Sequence, residues 1–207
     1  MFSLTQLFGK GDRFIALLES SAEEAHASVR LLGDLLRSPQ KSLEDFVITR
    51  RKEKKIAETI SEELVNTFVT GLEREDIEAL SRALYKIPKA VEKFAERFHI
   101  ASERLRNIDF APQADLLARA TEVVVAMVKQ LRCLQDLQKS KELNDRLQYI
   151  EGEADKLMVS LLSDLYSGKR DPLLAVIVKD LYELMEKIID RCRDAGNVVT
   201  LIILKNS

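Results

Sequence analysis

The sequence is poor in the residues that most other architectures need. Its 207 residues include only 7 Gly, 4 Pro, 2 Cys and 2 His, and no Trp. So little Gly and Pro excludes the turn-rich β-sandwiches and barrels. Cys133 and Cys192 lie far apart and form no CxxC pair, which excludes a disulfide framework and a thiolate zinc site and makes a reducing, cytoplasmic setting the default. Neither sign of charge is in excess: 32 basic against 34 acidic residues leave a net charge of -2. Nucleic-acid binding, which rests on clustered surplus cations, is not expected. The longest uncharged apolar runs are Val123 to Val128 and Val198 to Leu204, far short of the ~20 residues that span a bilayer. Met1 to Gly11 carries no basic stretch followed by an apolar leader. Leu7 to Gly11 lacks a phosphate-cradling glycine pattern, and no nucleophile, base and acid form a set, so the chain is not expected to be an enzyme.

What is present is 46% hydrophobic and 32% charged residues, the balance of long amphipathic helices. Six are expected in one domain, residues 1–207. The first spans about Asp12 to Leu36, with Phe14, Leu17, Leu18, Ala22, Ala25, Val29 and Leu32 at helical spacing, and stops at Ser38-Pro39-Gln40. Ser42 to Asp45 has the form of an N-cap; the helix it opens is expected to reach Thr70 and stop at Gly71. A third helix starts at Glu73 to Asp76, should kink at Pro88, and fades near His99. A fourth follows Pro112, a fifth runs from about Lys141 to Tyr166 and ends at Ser167-Gly168, and a sixth begins at Asp171-Pro172.

Two features recur along the chain. Glu53-Lys54-Lys55 lies 100 residues before Glu153-Ala154-Asp155, and Leu84 to Lys89 lies 101 residues before Met185 to Asp190. The near-constant offset suggests a duplicated three-helix unit. The fold class is therefore all-α, two pseudo-symmetric three-helix bundles, with halves of about 12–100 and 112–205. In the second half, Tyr149 to Asp155 and Glu186 to Asp190 each place carboxylates three or four residues apart, on one helix face. Packed side by side, two such faces offer an all-oxygen pocket for a hard cation. The alternative is a solvated face neutralised by Lys156, Lys187, Arg191 and Arg193.

Four stretches resemble the PhoU-like family, in particular the branch that accompanies Pit-type phosphate transporters. They are Phe14 to Glu19 with the Ala-rich helix behind it, Thr67 to Ile77, Glu151 to Asp155, and Leu181 to Cys192 with Asn197 to Val199. The resemblance implies paired three-helix bundles, a role in phosphate uptake and its regulation, and contact with a membrane phosphate permease at the inner membrane face. It also implies an E(D)-x-x-x-D metal motif in each half, holding a divalent or iron-type ion. Here the first half has Lys55, Tyr85 and Lys89 where acids are expected, and an ammonium repels a cation. The expectation is one surviving metal site on Glu153, Asp155, Glu186 and Asp190, with Glu151, Asp194 and Asn197 behind them. Lys55 and Lys89 are alternatively counter-charges between the halves. A homo-oligomer is left open.

Other residues have simpler expectations. The run Arg50 to Lys55 reads as a solvated helix face, Tyr85 as packing, and Cys133 and Cys192 as core residues. Glu23-x-x-His26 and Glu96-x-x-His99 match the ligand pairs of ferritin-like di-metal bundles. That class is the competing reading, though coincidence explains two such pairs in a glutamate-rich chain.

Overall fold

A computed structural model describes residues 4–38 and 42–207, with side chains from Arg13 onward. Six α-helices account for nearly all of it: α1 (Leu4–Arg37), α2 (Glu44–Asn66), α3 (Arg74–Ala101), α4 (Ala111–Lys129), α5 (Leu137–Leu165) and α6 (Pro172–Asn206). No strand occurs among the described residues.

Helix ends show which local signals acted. The α1 helix starts well before Asp12 and runs through Gly9 and Gly11; glycine inside a helix costs only about 1 kcal/mol. Pro39 and Gln40, expected to stop it, lie outside the described residues. Ser42 Oγ accepts from the Glu44 amide at 3.1 Å and opens α2. That helix ends at Asn66, short of the expected Thr70, because Thr67 turns extended. The corner is sealed from the next helix: Arg74 donates to the carbonyls of Thr67, at 2.7 Å, and Leu64. Gly71 therefore has no capping role. The α3 helix is unbroken through the buried Pro88. Asp136 and Asp171 cap α5 and α6 by accepting from the amides of Lys139 and Leu174. Gly168 ends the α5 corner at φ +79°, a left-handed conformation that glycine adopts without penalty.

Packing follows the duplicated arrangement. Within the first half α1, α2 and α3 all touch one another, as do α4, α5 and α6 in the second. The halves meet through α1 against α4 and α3 against α6. Both contacts are antiparallel: Arg132 pairs with Glu19 and Lys129 with Glu23, while Lys205 reaches Asp76 and Arg97 faces Asp180. This is the order that a twofold axis running across the helices, relating α1–α3 to α4–α6, would give. It leaves α2 and α5 on opposite outer flanks.

A single apolar core runs through both halves. Leu18, Leu32, Leu84, Ile87, Leu117, Val128, Ile188 and Val199 are completely covered. Phe110, just before α4, sits edge-on to Phe94 at 5.8 Å and to Tyr182 at 5.6 Å, binding the link between halves to α3 and α6. The expected apolar positions of α1 are buried, apart from the half-buried Leu17. Cys192 is buried as expected, and burial pushes its thiol up to about 12. Cys133 is not a core residue: it is exposed, because α4 gives way at Lys129 to a 3-10 turn (Gln130–Arg132) that carries the chain out to the surface.

Candidate functional site

The acids of the second half sit on adjoining faces of α5 and α6, antiparallel neighbours whose apolar positions lock their rotation. Met185, Ile188, Ile189 and Cys192 face inward, which turns Glu186, Asp190 and Asp194 out along one edge of α6. On α5, Leu147, Ile150 and Met158 do the same for Glu151 and Asp155. Glu151, Glu183, Glu186, Asp190, Asp194 and Asn197 line an open groove together with Lys187, Arg191 and Arg193.

The carboxyls there feel one another. Partial burial raises Glu151, Glu186 and Asp190 above their ordinary values. Asp155 adds to the rise at all three, Asp190 raises Glu151 and Glu186, and Asp194 raises Asp190. Cations are also present. Arg193 Nε lies 3.4 Å from Glu151, and Arg191 holds Asp194 at 2.7 Å.

Glu153, expected as a ligand, does not join this group. It points the other way, to α4, where Arg119 donates to its Oε2 at 2.8 Å. The expected ligands are thus divided: Glu186 and Asp190 line a groove with Glu151, Asp155 lies near enough to raise all three, and Glu153 is paired elsewhere. Among the described residues, no three His, Cys, Asp or Glu side chains come together closely enough to hold a metal ion. The donor chemistry suits a hard cation, but the arrangement does not fit one: Glu153 faces away and the remaining acids lie in an open groove beside arginines.

The corresponding face of the first half, between α2 and α3, has the opposite sign. Arg51, Lys54 and Lys55 on α2 and Arg82, Lys86, Lys89 and Lys93 on α3 are exposed. Lys55 and Lys89 form no ion pair among the described residues and do not serve as counter-charges across the halves. Tyr85 is half-buried beside Arg50, which pairs with Glu92. The run Arg50 to Lys55 is solvated as expected at Arg51, Lys52, Lys54 and Lys55.

Its one acid is the exception. Glu53 is 0% exposed, wedged between α2 and α1. Ser21 Oγ donates to its Oε1 at 2.6 Å, and Oε2 has no hydrogen-bond partner. Burial pushes this carboxyl up to about 8, with Glu24 adding to the rise and the Ser21 hydroxyl opposing it. Sequence reading missed this group; its only signal was an acid inside a basic run on a helix otherwise short of apolar residues.

The two Glu-x-x-His pairs do not converge. His26 Nδ1 lies 3.0 Å from Thr121 Oγ1, and Glu23 binds Lys129 at 2.6 Å. Desolvation, with Arg30 nearby, lowers the His26 pKa. His99 and Glu96 are exposed near the end of α3. The di-metal reading loses its geometric basis. A cavity of about 960 Å³ lies between α1, the end of α3 and the start of α4, among Arg30, Arg37, His99, Arg106 and Asp109. Two of its arginines are held by Asp34 and Glu103, and of the expected ligands it contains only His99, without Glu23, His26 or Glu96.

Comparison with known proteins supports the sequence resemblance. No family model matches the chain. It is 25% identical over 205 residues to the UPF0111 protein YkaA of Bacillus subtilis (strain 168), covering 96% of this chain and 98% of that one. It is 20% identical over 210 residues to a Rhizobium meliloti (strain 1021) protein named "Putative pit accessory protein", covering 97% of each. Among solved structures, a PhoU-like protein from Shewanella oneidensis MR-1 superposes with a TM-score of 0.78 at 17% identity, over 92% of this chain and 99% of that one. A second Shewanella oneidensis MR-1 structure, of a "putative PhoU-like phosphate regulatory protein", gives 0.74 at 18% identity, over 93% and 99%. The fold is PhoU-like.

Proposed function

We propose that this chain is a non-catalytic accessory protein of phosphate transport that binds a membrane phosphate permease from the cytoplasmic side and regulates it. The supporting observation is the end-to-end similarity to a pit accessory protein, at 97% coverage of both chains. Physically, such a protein works by presenting a surface, and the structure has a candidate at the α2–α3 corner. Thr67, Leu72 and Asp76 are buried there and Arg74 fastens the turn. On this fixed base Phe68 is fully exposed (101%), flanked by Val65 (83%) and Val69 (48%). Adjacent exposed apolar side chains on a rigid corner are the kind of patch that a protein partner covers. No helix among the described residues is long and apolar enough to cross a membrane, so the contact would be peripheral. The reading needs no metal, and the α5–α6 acids are given no ligand role in it.

The test is crosslinking and pull-down from membranes carrying a Pit-type permease, with wild-type protein and Phe68→Glu. Recovery by wild type and loss in the variant, with unchanged helical circular dichroism, is the expected result. Equal recovery by both would remove the corner from the reading. If wild type recovers no permease, the accessory role itself falls.

A further inference from the structure

The two halves carry opposite charges at corresponding positions. In the first half Arg50 of α2 pairs with Glu92 of α3. In the second, Glu151 of α5 pairs with Arg193 of α6; Arg193 lies 101 residues after Glu92, and Glu151 lies 100 after Arg51, the neighbour of Arg50. At this level a base on α2 and an acid on α3 give way to an acid on α5 and a base on α6. The inversion extends along the exposed edge: Arg82, Lys89 and Lys93 of α3 correspond to Glu183, Asp190 and Asp194 of α6 at a constant offset of 101 residues. On the neighbouring helix Arg51 and Lys55 correspond to Glu151 and Asp155, at 100. Tyr85 stands where the second half has Glu186; Lys86 and Lys187 keep the same sign, as do Glu53 and Glu153 on the neighbouring helices.

Many of these charges are uncommitted. Arg51, Lys55, Lys86, Lys89 and Lys93 are exposed and form no ion pair among the described residues, and neither do Asp155, Glu186 and Asp190. Because α3 packs on α6 while α2 and α5 lie outside them, both flanks open toward the side where α3 meets α6. One side of the molecule is thus basic in one half and acidic in the other, with the charges laid out at equal spacing.

We propose that this side is a self-association surface: the basic α2–α3 flank of one copy docks on the acidic α5–α6 flank of a second copy. Charge complementarity selects the occupant. A flat anionic membrane would attract the basic flank but meet the acidic flank beside it, and a net charge of -2 gives no overall drive toward it. A second copy satisfies both signs at once. Matching charge patterns steer such encounters and fix their register. The contact is between different patches, so it closes into a pair only if both flanks engage around a twofold axis; otherwise it extends to a ring or chain.

The proposal is independent of the permease reading, since it uses a different surface. Its test uses two variants of the full chain at exposed positions. One carries Lys55→Glu, Lys89→Glu and Lys93→Glu, making both flanks acidic. The other carries Asp155→Lys, Asp190→Lys and Asp194→Lys, making both basic. Mass is measured by sedimentation or light scattering at about 0.01 M salt, where the Debye length is ~30 Å, and at about 1 M, where it is ~3 Å. Wild type is expected to exceed the 23.5 kDa monomer mass at low salt and return to it at high salt. Each variant alone is expected to stay monomeric at low salt, and their equimolar mixture to associate again. A monomeric wild type at low salt, variants that associate as wild type does, or a mixture that stays monomeric would each overturn the proposal. Salt-sensitive binding of monomeric wild type to phosphatidylserine vesicles, lost in the first variant, would assign the basic flank to a membrane instead.

Discussion

Ser21 Oγ lies 2.6 Å from Glu53 Oε1 and is, among the described residues, the one hydrogen-bond partner of a carboxyl with no exposure to solvent. The second half has a counterpart. Glu153, 100 residues on, projects from α5 toward α4 as Glu53 projects from α2 toward α1, but it meets Arg119 at 2.8 Å. One glutamate meets a guanidinium, while the other is buried with a hydroxyl and no counter-charge.

Glu53 should make stability depend on pH. Its folded pKa, about 8, lies above the ordinary 4.5, so between those values the folded state holds a proton that the unfolded chain releases. The stabilisation is complete below about 4.5 and is lost as pH rises through 8, by on the order of a few kcal/mol. Glu53→Gln cannot ionise. Urea midpoints of wild type and variant should diverge as pH goes from 6 to 9, with wild type falling further. Parallel profiles would show that Glu53 does not carry the dependence.

Metal binding should be weak. Titration calorimetry with manganese and with zinc is expected to show no tight stoichiometric site, because Glu153 is held by Arg119 and the groove acids stand beside Arg191 and Arg193. A single tight site that disappears in Asp190→Ala would reinstate the ligand set expected from the resemblance.

Two helical glycines should respond oppositely to alanine. Nothing lies within 4 Å of a Cβ added at Gly152, so Gly152→Ala gains helix propensity, up to about 1 kcal/mol. A Cβ at Gly196 would run into Leu147 and come within 3.3 Å of Met127 Sδ, where α4, α5 and α6 meet. Overpacking of about 1–3 kcal/mol there outweighs the propensity gain. Thermal melts of the two variants should shift up and down respectively; a stabilised Gly196→Ala would mean that Leu147 yields freely.

Arg74 should matter more than its place in a charged run suggests. Its guanidinium caps the Leu64 and Thr67 carbonyls that end α2. Arg74→Met leaves them without those donors, at about 1–3 kcal/mol. Denaturant titration measures that cost, and amide exchange should rise at the end of α2 more than elsewhere. Protection lost evenly across the molecule would argue against a local cap.

Much of the fold was legible. The apolar spacing of α1 and the proline-led start of α6 located those helices, because each signal lies within a few residues of the element that it specifies. Errors arose where the deciding contact was distant. The end of α2 was misplaced because its cap comes from α3. Cys133 was assigned to the core by extending the apolar face of α4 past a 3-10 turn that the pattern does not mark.

The candidate site divides in the same way. Sequence alone determined that carboxylates lie on one edge of α5 and of α6, that their counterparts on α2 and α3 are basic, and that the halves repeat at 100 or 101 residues. Spacing along one helix fixes these facts. Only the tertiary structure decided that Glu153 leaves the acidic groove for Arg119, that Glu53 is buried against Ser21, and that the two oppositely charged flanks open toward one side. The physical reason is that a helix's rotation about its axis is set by the joint packing of its apolar faces against its neighbours. A side chain's partner then comes from whichever helix that rotation brings near.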